Sequence, residues 1–438
     1  MAAPAPALKK VLKPVHLWAI AVGLVISGEY FGWNYGWGIA GTMGLLIATL
    51  IVTVFYIVFI FSFTELTAAI PHAGGPFAYA YKALGPIGGM IAGYATLVEF
   101  LLAPPAIAFA LGSYVHFLYP AIPVLTTGIV CFVVFTLINL LGIKESAVFT
   151  LVVTLLAVAE LLLFMGIVAP AFSMDNFMQH AMPAGWPGVF AAIPFAIWFY
   201  LAIEGVAMAA EEVEQPQQTI PRGYIYGIFT LVVLALGVMI FTGGITDWRR
   251  LSNIDYPLPE AIGIVLGKQN NLTKLFAGIG LFGLIASFHS IIVGYSRQIF
   301  ALARSGYLPV YLAGVNKKFR TPHRALLAGG GIGIIALCAG STDKAIIIAA
   351  LGAIVLYIIS MISLFILRRK EPDLERPFKV PFYPWFPLIA LLLAILCLIA
   401  IVWYNWLLSV LFFAGLLVAG FIFVLTGRWR KSSQVVSI

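Results

Sequence analysis

Residues 15–39 read VHLWAIAVGLVISGEYFGWNYGWGI, an apolar run that is interrupted near its middle by Ser-Gly-Glu at 27–29. A second run at 188–212 reads GVFAAIPFAIWFYLAIEGVAMAAEE and is interrupted in the same way by Ala-Ile-Glu-Gly at 202–205. Each run exceeds the roughly 18 apolar residues that are needed to cross a lipid bilayer. The sequence therefore predicts two membrane helices that are broken at mid-depth.

The composition of the whole chain excludes an ordinary soluble domain. Its 438 residues are 62% apolar and only 10% charged, with a mean hydropathy of +1.05, whereas soluble domains are about half apolar and about a quarter charged. The net charge of +8 does not indicate nucleic-acid binding, because the basic residues lie in short clusters between apolar runs without interleaved aromatic residues. Cys131, Cys338 and Cys397 lie at unrelated spacings inside apolar runs, which predicts neither a disulfide framework nor a metal site.

Each apolar run is predicted to be a helix, because backbone polar groups cannot be left unpaired in hydrocarbon. The predicted fold class is an all-α integral membrane protein with twelve transmembrane helices. The predicted spans are 15–39, 41–70, 86–118, 122–142, 147–170, 188–212, 223–245, 273–303, 325–341, 344–367, 385–403 and 406–426.

The distribution of basic residues predicts the orientation in the membrane. Lys9, Lys10 and Lys13 precede the first span, which continues as a full span without the cleavage site of a signal peptide. With the N-terminus in the cytoplasm, all but five of the 25 Lys and Arg residues fall on the cytoplasmic side. The positive-inside rule then predicts that both termini are cytoplasmic. The five exceptions are Arg249, Arg250, Lys268, Lys274 and Lys344.

The first and sixth spans are five helices apart, and both are broken. Broken helices at corresponding positions of two halves indicate an inverted-repeat transporter whose substrate site lies at the interface of the repeats. Taken alone, Gly28 and Gly205 fit equally well the small residues that let membrane helices pack closely.

Four acidic residues lie deep inside predicted spans: Glu29, Glu99, Glu160 and Glu204. No Lys or Arg lies comparably deep. Inserting a charged side chain at the bilayer centre costs at least roughly 2.5–3.5 kcal/mol, so these acids require a cation, a proton or a wet cavity. An acidic interior favours a cationic substrate. In the alternative, each Glu is protonated and hydrogen-bonded to a neighbouring helix, and this alternative is strongest for Glu160.

Aromatic residues accompany both breaks. Tyr30, Phe31 and Trp33 follow Glu29, and Trp198 to Tyr200 precede Glu204. Ring faces beside a carboxylate stabilise an organic ammonium by about 0.5–2 kcal/mol each, although packing or contact with lipid explains any single ring better. The position beside the breaks favours a substrate contact for Trp198 and Tyr200. His289 lies within the eighth span, where it either relays a proton, hydrogen-bonds a substrate hydroxyl or serves as a packing residue.

Three segments carry a resemblance to a known family. They are EEVEQPQQTIP at 211–221, ELTAAIPHAGGPFAYA at 65–80 and SRQIFALARSGYLP at 296–309. In this order and spacing they resemble the signatures of the amino acid, polyamine and organocation (APC) permease superfamily, and the resemblance covers nearly the whole chain. ISGEYFGWNYGW at 26–37 and EFLLAPPA at 99–106 look most like its bacterial ethanolamine permease branch.

The resemblance implies a leucine-transporter-type fold, in which five helices are followed by an inverted repeat of five and then by two C-terminal helices. It also implies alternating access driven by a proton or a sodium ion. Amino acid members have a glycine at the position of Glu29, where free backbone N–H groups bind the substrate carboxylate. A carboxylate there repels an amino acid and attracts an amine that lacks a carboxylate.

Two residues of the sixth span match the family pattern, because Trp198 stands at the position of the aromatic gate residue and Glu204 at that of the usual acid. Proton-coupled members often have a lysine in the fifth span; the matching position here is near Ala157, with Glu160 one turn on. The choice between proton and sodium therefore stays open.

The predicted function is import of ethanolamine or a closely related small cationic amino alcohol across the bacterial inner membrane. The alternative is an amino acid or polyamine permease of the same fold. A channel, a sensor or an enzyme is disfavoured, because the sequence shows no continuous polar stripe, no appended soluble domain and no pairing of nucleophile and base. No cofactor, nucleic acid or obligate protein partner is predicted. The predicted substrate-binding residues are Ser27, Gly28, Glu29, Glu99, Trp198, Tyr200, Ala202, Glu204 and His289.

The predicted organisation has five parts. They are a cytoplasmic segment at 1–14, the first repeat at 15–170, the second repeat at 188–368, two further helices at 385–427 and a cytoplasmic tail at 428–438.

Overall fold

The computed structural model describes residues 10–72, 74–141, 147–316 and 318–426. The predictions for residues 1–9 of the N-terminal segment, for the tail at 428–438, for the end of the fourth span at 142 and for the cytoplasmic placement of Lys144 and Lys317 lie outside the described residues. Ala73 of the 65–80 segment also lies outside them.

The described residues form an all-helical protein, and helices occupy each of the twelve stretches predicted to be spans. Within the described residues, four 3-10 helices lie at Ala169–Ala171, Ile203–Glu212, Trp248–Arg250 and Val310–Ala313. The α-helices are α1 (Pro14–Val25), α2 (Ser27–Tyr30), α3 (Tyr35–Ala69), α4 (Pro76–Leu118), α5 (Val124–Leu140), α6 (Ala147–Val168), α7 (Met174–Met178), α8 (Gly185–Ala191), α9 (Ile193–Trp198), α10 (Pro216–Gly243), α11 (Pro257–Leu266), α12 (Asn271–Arg304), α13 (His323–Ala339), α14 (Thr342–Lys370), α15 (Trp385–Tyr404) and α16 (Trp406–Leu425).

Within the described residues, nine helical segments are long and apolar enough to cross a membrane. The first, fourth and ninth predicted spans correspond to the shorter apolar helices α1, α5 and α13. Together these helices identify a multi-pass membrane protein, because apolar segments of this length fit the thickness of the hydrocarbon layer.

Two glycines bend long helices where the sequence predicts a boundary between spans. Gly41 has φ +71° inside α3 and separates the end of the first span from the second. A β-carbon there would lie 2.6 Å from the carbonyl oxygen of Ala181. Gly85 has φ +76° inside α4 and separates a short helix at 76–84 from the third span. Only glycine adopts this left-handed conformation readily.

Both predicted breaks are present. In the first span, α1 ends at Val25, the single turn α2 follows, and residues 31–34 form a non-helical turn. In the sixth span, α9 ends at Trp198 and four residues separate it from the 3-10 helix Ile203–Glu212. This 3-10 helix is unusually long, because runs beyond three or four residues are uncommon.

An ion-pair cluster lies at one end of the helices. Glu65 of α3 is 1% exposed and accepts hydrogen bonds from both the Nε and an Nη atom of Arg368, at 2.7 and 2.5 Å. Arg376, in the segment after α14, lies 3.4 Å from the same carboxylate. The backbone N–H of Val380 donates to it at 2.8 Å. The cluster therefore joins α3, α14 and the chain that follows α14.

Candidate functional site

The two broken helices contact each other directly. The indole Nε1 of Trp198, the last residue of α9, donates a hydrogen bond to the backbone carbonyl of Phe31 at 3.0 Å. The two rings also meet edge to face, with centroids 5.6 Å apart. Gly28 lies so close to the backbone of Trp198 that a β-carbon would collide with its carbonyl oxygen. A glycine at position 28 is thus required by the approach of one break to the other.

A second contact joins the first break to α12. The Ser27 and Ser287 hydroxyl oxygens lie 2.8 Å apart, and Ser287 donates to the carbonyl of Leu24 at 2.7 Å. Both serines are buried. The hydroxyl of Ser287 therefore gives the carbonyl at the end of α1 a partner, as an interrupted helix requires.

A small cavity of about 10 Å³ lies between these contacts. It is large enough for about one water molecule, so the site is closed. Among its lining residues, Ser27 and Trp198 carry polar side-chain groups, and none of the predicted acidic residues lines it. The lining residues are Leu24, Val25, Ser27, Ala103, Trp198, Leu201 and Ile291.

Glu29 is completely buried in the first break. Neither of its carboxyl oxygens has a hydrogen-bond partner among the described residues. Its carboxyl group interacts electrostatically with the phenols of Tyr30 and Tyr200. Its backbone carbonyl accepts a hydrogen bond from the indole of Trp33 at 3.1 Å. A buried carboxylate without a donor is costly, so this group requires either a proton or a cationic partner.

Glu99 and Glu204 form a separate pair. Their carboxyl groups interact electrostatically, and both side chains are completely buried. Like Glu29, Glu99 has no hydrogen-bond partner for either carboxyl oxygen among the described residues. The Tyr357 hydroxyl donates to Glu204 Oε2 at 2.7 Å. A β-carbon at Gly352 would lie 3.2 Å from the β-carbon of Glu99, so α14 packs closely over the pair. Two carboxyl groups in contact cannot both be ionised without strong repulsion, and a single shared proton relieves it.

Tyrosine hydroxyls lie between the two acidic positions. Tyr200 and Thr53 share a hydrogen bond at 2.7 Å, and the rings of Tyr200 and Tyr56 are 5.0 Å apart. The hydroxyl oxygens of Tyr56 and Tyr357 are 3.3 Å apart. The predicted acidic residues therefore fall into two groups: Glu29, which interacts with Tyr200, and Glu99, which interacts with Glu204.

The remaining two predicted residues have distinct placements. Ala202 has φ +74°, a left-handed conformation that costs a non-glycine residue about 1–3 kcal/mol, and it turns the chain from the break into the 3-10 helix. His289 lies on the face of α12 that contacts α5, where its Nδ1 is 3.1 Å from the amide nitrogen of Asn139 and its ring packs against Phe135. The structure does not bring His289 to the breaks.

Several polar residues of the site were not predicted from the sequence. Tyr357, Ser287, Thr53 and Tyr56 are all buried in long apolar helices. A hydroxyl group barely changes the hydropathy of a span, so no sequence signal separates them from residues that contact lipid. Tyr357 was recognisable only through its contact with Glu204.

None of the acids at this depth forms an ion pair within the described residues. The ion pairs there include those of Glu65, Asp247, Glu260, Glu371 and Glu212, which lie toward helix ends or in connecting segments. Buried carboxyl groups, broken helices and a closed cavity between them are the features of a membrane transporter rather than of an enzyme.

Comparison with known proteins assigns the family. The family described as "Amino acid permease" matches residues 12–426, and the chain belongs to it. The uncharacterized transporter R00093 of Rhizobium meliloti (strain 1021) is 30% identical over 402 residues, which are 87% of this chain and 85% of that protein. The methylthioribose transporter of Bacillus subtilis (strain 168) is 27% identical over 410 residues, covering 86% of this chain and 85% of that protein. The branched-chain amino acid permease BcaP of the same strain is 25% identical over 397 residues, with coverage of 86% and 85%.

Proposed function

We propose that this permease is a secondary transporter that works by alternating access, with twelve transmembrane helices in a five-plus-five inverted repeat followed by two helices. The first repeat is 15–170, the second is 188–368, and the last two helices lie within 385–427. The segment 1–14 and the tail 428–438 are cytoplasmic, and the protein resides in the bacterial inner membrane. Family membership and the contact between the two broken helices support this proposal.

The proposed substrate is a small cationic amine that lacks a carboxylate, with ethanolamine as the representative compound. The observation that carries the proposal is Glu29, whose two carboxyl oxygens are buried in the first break without a hydrogen-bond partner among the described residues. An ammonium group supplies both the charge and the donors that this carboxylate lacks. A zwitterionic amino acid would bring a second carboxylate into the same acidic interior.

The closed cavity holds no more than about one water molecule, so the amine reaches Glu29 only after the breaks separate. Trp198 is the residue that must move, because it lines the cavity and bonds to the first break. Ser27 provides a hydroxyl on the cavity wall that can bond to the hydroxyl of an amino alcohol. Tyr200, beside Glu29, supplies an aromatic face for the ammonium.

The second candidate is an amino acid permease, and it rests on the relatives, which include a branched-chain amino acid permease and aromatic amino acid transport proteins. Of the two candidates, the relatives favour this one. The same set includes a methylthioribose transporter, so substrates differ among proteins with this level of similarity. The charge of the site is the reason for putting the amine first.

Uptake into proteoliposomes separates the two candidates. Radiolabelled ethanolamine is offered to the purified, reconstituted protein under separately imposed proton and sodium gradients, with choline, alanine, leucine and phenylalanine as unlabelled competitors. The amine proposal predicts saturable ethanolamine uptake that the amino acids do not inhibit. Uptake of an amino acid without uptake of ethanolamine would overturn the proposal in favour of the second candidate.

A further inference from the structure

The fourth deep acid, Glu160 of α6, lies apart from the acids discussed above and contacts the first break through a single hydrogen bond. The Tyr30 hydroxyl of α2 donates to Glu160 Oε2 at 2.7 Å. Glu160 is 4% exposed, and its other carboxyl oxygen has no hydrogen-bond partner among the described residues. Tyr30 directly follows Glu29 in the chain, so α6 is connected to the residue that the proposed substrate requires.

The surroundings of this contact are closely packed. Tyr114 of α4 donates a hydrogen bond to the backbone carbonyl of Tyr30 at 3.2 Å. A β-carbon at Gly283 would lie 2.8 Å from the Tyr30 ring, and one at Gly280 would lie 3.2 Å from Glu160 Oε1. Two glycines of α12 thus leave the space that the tyrosine ring and the carboxyl group occupy.

The hydrogen-bond acceptors here suit a protonated carboxyl group. The Tyr30 hydroxyl lies within reach of two acceptors, Glu160 Oε2 at 2.7 Å and the backbone carbonyl of Ala157 at 3.3 Å. If Glu160 carries a proton, it donates to the Tyr30 oxygen while Tyr30 donates to Ala157, and each hydroxyl hydrogen has an acceptor. If Glu160 is ionised, it is a buried charge that accepts one hydrogen bond, from Tyr30, and a low-dielectric interior disfavours a charge with so little compensation. The other oxygen, Oε1, has no partner among the described residues in either form.

No ionised partner for Glu160 comes from the helices that pack on α6, within the described residues. From α2 and α4 it meets the phenols of Tyr30 and Tyr114, and from α12 it meets Gly280. On α1 and α10, Gly23 packs against Thr154 and Gly237 against Met165 of α6. The acid of α11, Glu260, pairs with Lys268. A proton is therefore the cation that this geometry accommodates.

We propose that Glu160 is a proton-binding site, separate from the substrate-binding acids, whose loading is coupled to the position of the first break through Tyr30. In the closed form the carboxyl oxygen of Glu160 holds a proton taken from water on one side of the membrane. When α2 moves away from α6, the O–H bond of Glu160 breaks and the proton passes to water on the other side. The proposal rests on the proposed transport function but not on the choice between an amine and an amino acid.

Three variants in proteoliposomes test it: Glu160→Gln, Tyr30→Phe and the matched control Glu260→Gln. The control removes a carboxyl group by the same substitution, from a residue that pairs with Lys268. The assays are substrate binding, counterflow without an ion gradient, accumulation driven by an imposed pH gradient, and substrate-induced proton movement followed by an internal pH dye. Each assay uses whichever of ethanolamine or alanine the wild type binds. If the wild type binds alanine and not ethanolamine, the substrate proposal is overturned, but the proton-binding role of Glu160 can still be tested with alanine.

Glutamine at position 160 imitates the protonated acid, because its amide can donate to the Tyr30 oxygen but cannot release a proton. Glu160→Gln is expected to retain binding and counterflow and to lose both the accumulation driven by the pH gradient and the proton movement. Tyr30→Phe is expected to keep proton movement, but the dependence of its substrate accumulation on pH is expected to differ from that of the wild type. Glu260→Gln is expected to behave as the wild type.

Proton movement and pH-driven accumulation in Glu160→Gln equal to those of the wild type would overturn the proposal. It would also be overturned by a wild type that responds to a sodium gradient and not to a pH gradient. If Glu160→Gln does not fold, the Tyr30→Phe variant decides the question. A pH dependence of accumulation in Tyr30→Phe equal to that of the wild type would then contradict the coupling of Glu160 to the first break.

Discussion

The indole nitrogen of Trp198 lies 3.0 Å from the backbone carbonyl oxygen of Phe31, so the last residue of α9 is hydrogen-bonded to the turn that interrupts the first span. The two broken helices are joined by this bond and by the edge-to-face contact of the same two rings. Neither residue is charged, and the bond can break without exposing an ion. This contact is well suited to open and close during a transport cycle.

Trp198→Leu is expected to weaken substrate binding about 5- to 150-fold, because a loss of roughly 1–3 kcal/mol of binding free energy corresponds to that range. The substitution removes a hydrogen bond and an aromatic contact, each worth about 0.5–1.5 kcal/mol. Binding is measured by calorimetry on the purified protein. Trp186→Leu is the control, because Trp186 is 59% exposed on the neighbouring α8. Unchanged affinity in Trp198→Leu would remove Trp198 from the site.

Glu29→Gln is expected to reduce affinity for ethanolamine by at least about tenfold, because a hydrogen bond to a charged group is worth roughly 1.5–3 kcal/mol. The amide keeps the shape of the side chain but carries no charge to pair with an ammonium. Thermal shift at increasing ethanolamine concentration reports the loss, with Glu375→Gln, an exposed acid, as the control. Equal ethanolamine affinity in wild type and Glu29→Gln would show that Glu29 does not bind the amine.

Glu204→Gln and Tyr357→Phe are expected to have non-additive effects on thermal stability. The Tyr357 hydroxyl donates to the Glu204 carboxyl group at 2.7 Å, and residues that share a hydrogen bond couple by about 0.5–3 kcal/mol in double-mutant cycles. The two single variants and the double variant are compared by thermal unfolding in detergent. Glu375→Gln combined with Tyr357→Phe is the control cycle. If the effects of Glu204→Gln and Tyr357→Phe on the unfolding midpoint simply add, the hydrogen bond between the two residues contributes nothing to the stability of the closed form.

Glu65→Gln is expected to lower the thermal unfolding midpoint strongly. It leaves Arg376, only 8% exposed, and Arg368 without their buried counter-charge, and breaking a buried pair from one side costs about 3–5 kcal/mol. Glu371→Gln is the matched control, since its bond to Lys82 at 3.0 Å is partly exposed and such pairs contribute about 0–1 kcal/mol. Equal midpoint shifts in the two variants would contradict a structural role for the Glu65 cluster.

Asp255, in the segment between α10 and α11, gives a prediction about pH. Its carboxylate accepts hydrogen bonds from Tyr35 at 2.8 Å and from Thr342 at 3.0 Å, and burial raises its pKa from 3.8 to about 6. Between these two values the folded protein holds the proton more tightly than the unfolded chain does. The contribution of Asp255 to stability is therefore greatest below pH 3.8 and is lost as the pH rises to about 6.

Asp255→Asn is expected to remove this pH dependence, because an amide does not titrate in this range. The thermal unfolding midpoint is measured at intervals across the window for the variant, the wild type and Asp247→Asn. Asp247 pairs with Arg249 in an exposed contact at 3.5 Å, so its substitution serves as the control. A wild type and an Asp255→Asn protein with parallel pH profiles would show that Asp255 does not titrate in this window.

Much of the fold was predictable because the membrane restricts the choices. Hydrocarbon excludes unpaired backbone groups, so each apolar run had to be a helix, and the helices begin and end near the predicted residues. The breaks at 27–29 and 202–205 were predictable because ionisable and small residues inside an apolar run are costly unless they serve a site. The bends at Gly41 and Gly85 coincide with predicted boundaries between spans, because glycine adopts the positive φ of these two positions more readily than other residues do.

The site was predictable only as a set of residue types. Glu29, Glu99 and Glu204 were recognised by their charge, and Trp198 by its position before the second break. Their division into a single acid and a pair could not be predicted, because it depends on which face of each helix meets which neighbour. The same reason explains why His289 was grouped with the breaks, although the structure places it against α5.

The sequence by itself determined that this chain is a helical membrane protein with two interrupted spans and an acidic interior, because hydropathy and charge act locally along the chain and the bilayer converts them into helices. Tertiary structure alone decided which acids share an environment. Glu204 meets Glu99 and Tyr357 because α4 and α14 pack beside the 3-10 helix Ile203–Glu212. Glu160 meets Tyr30 because two glycines of α12 leave room for the ring. Such contacts join residues more than 100 positions apart, and they form only when the helices pack together.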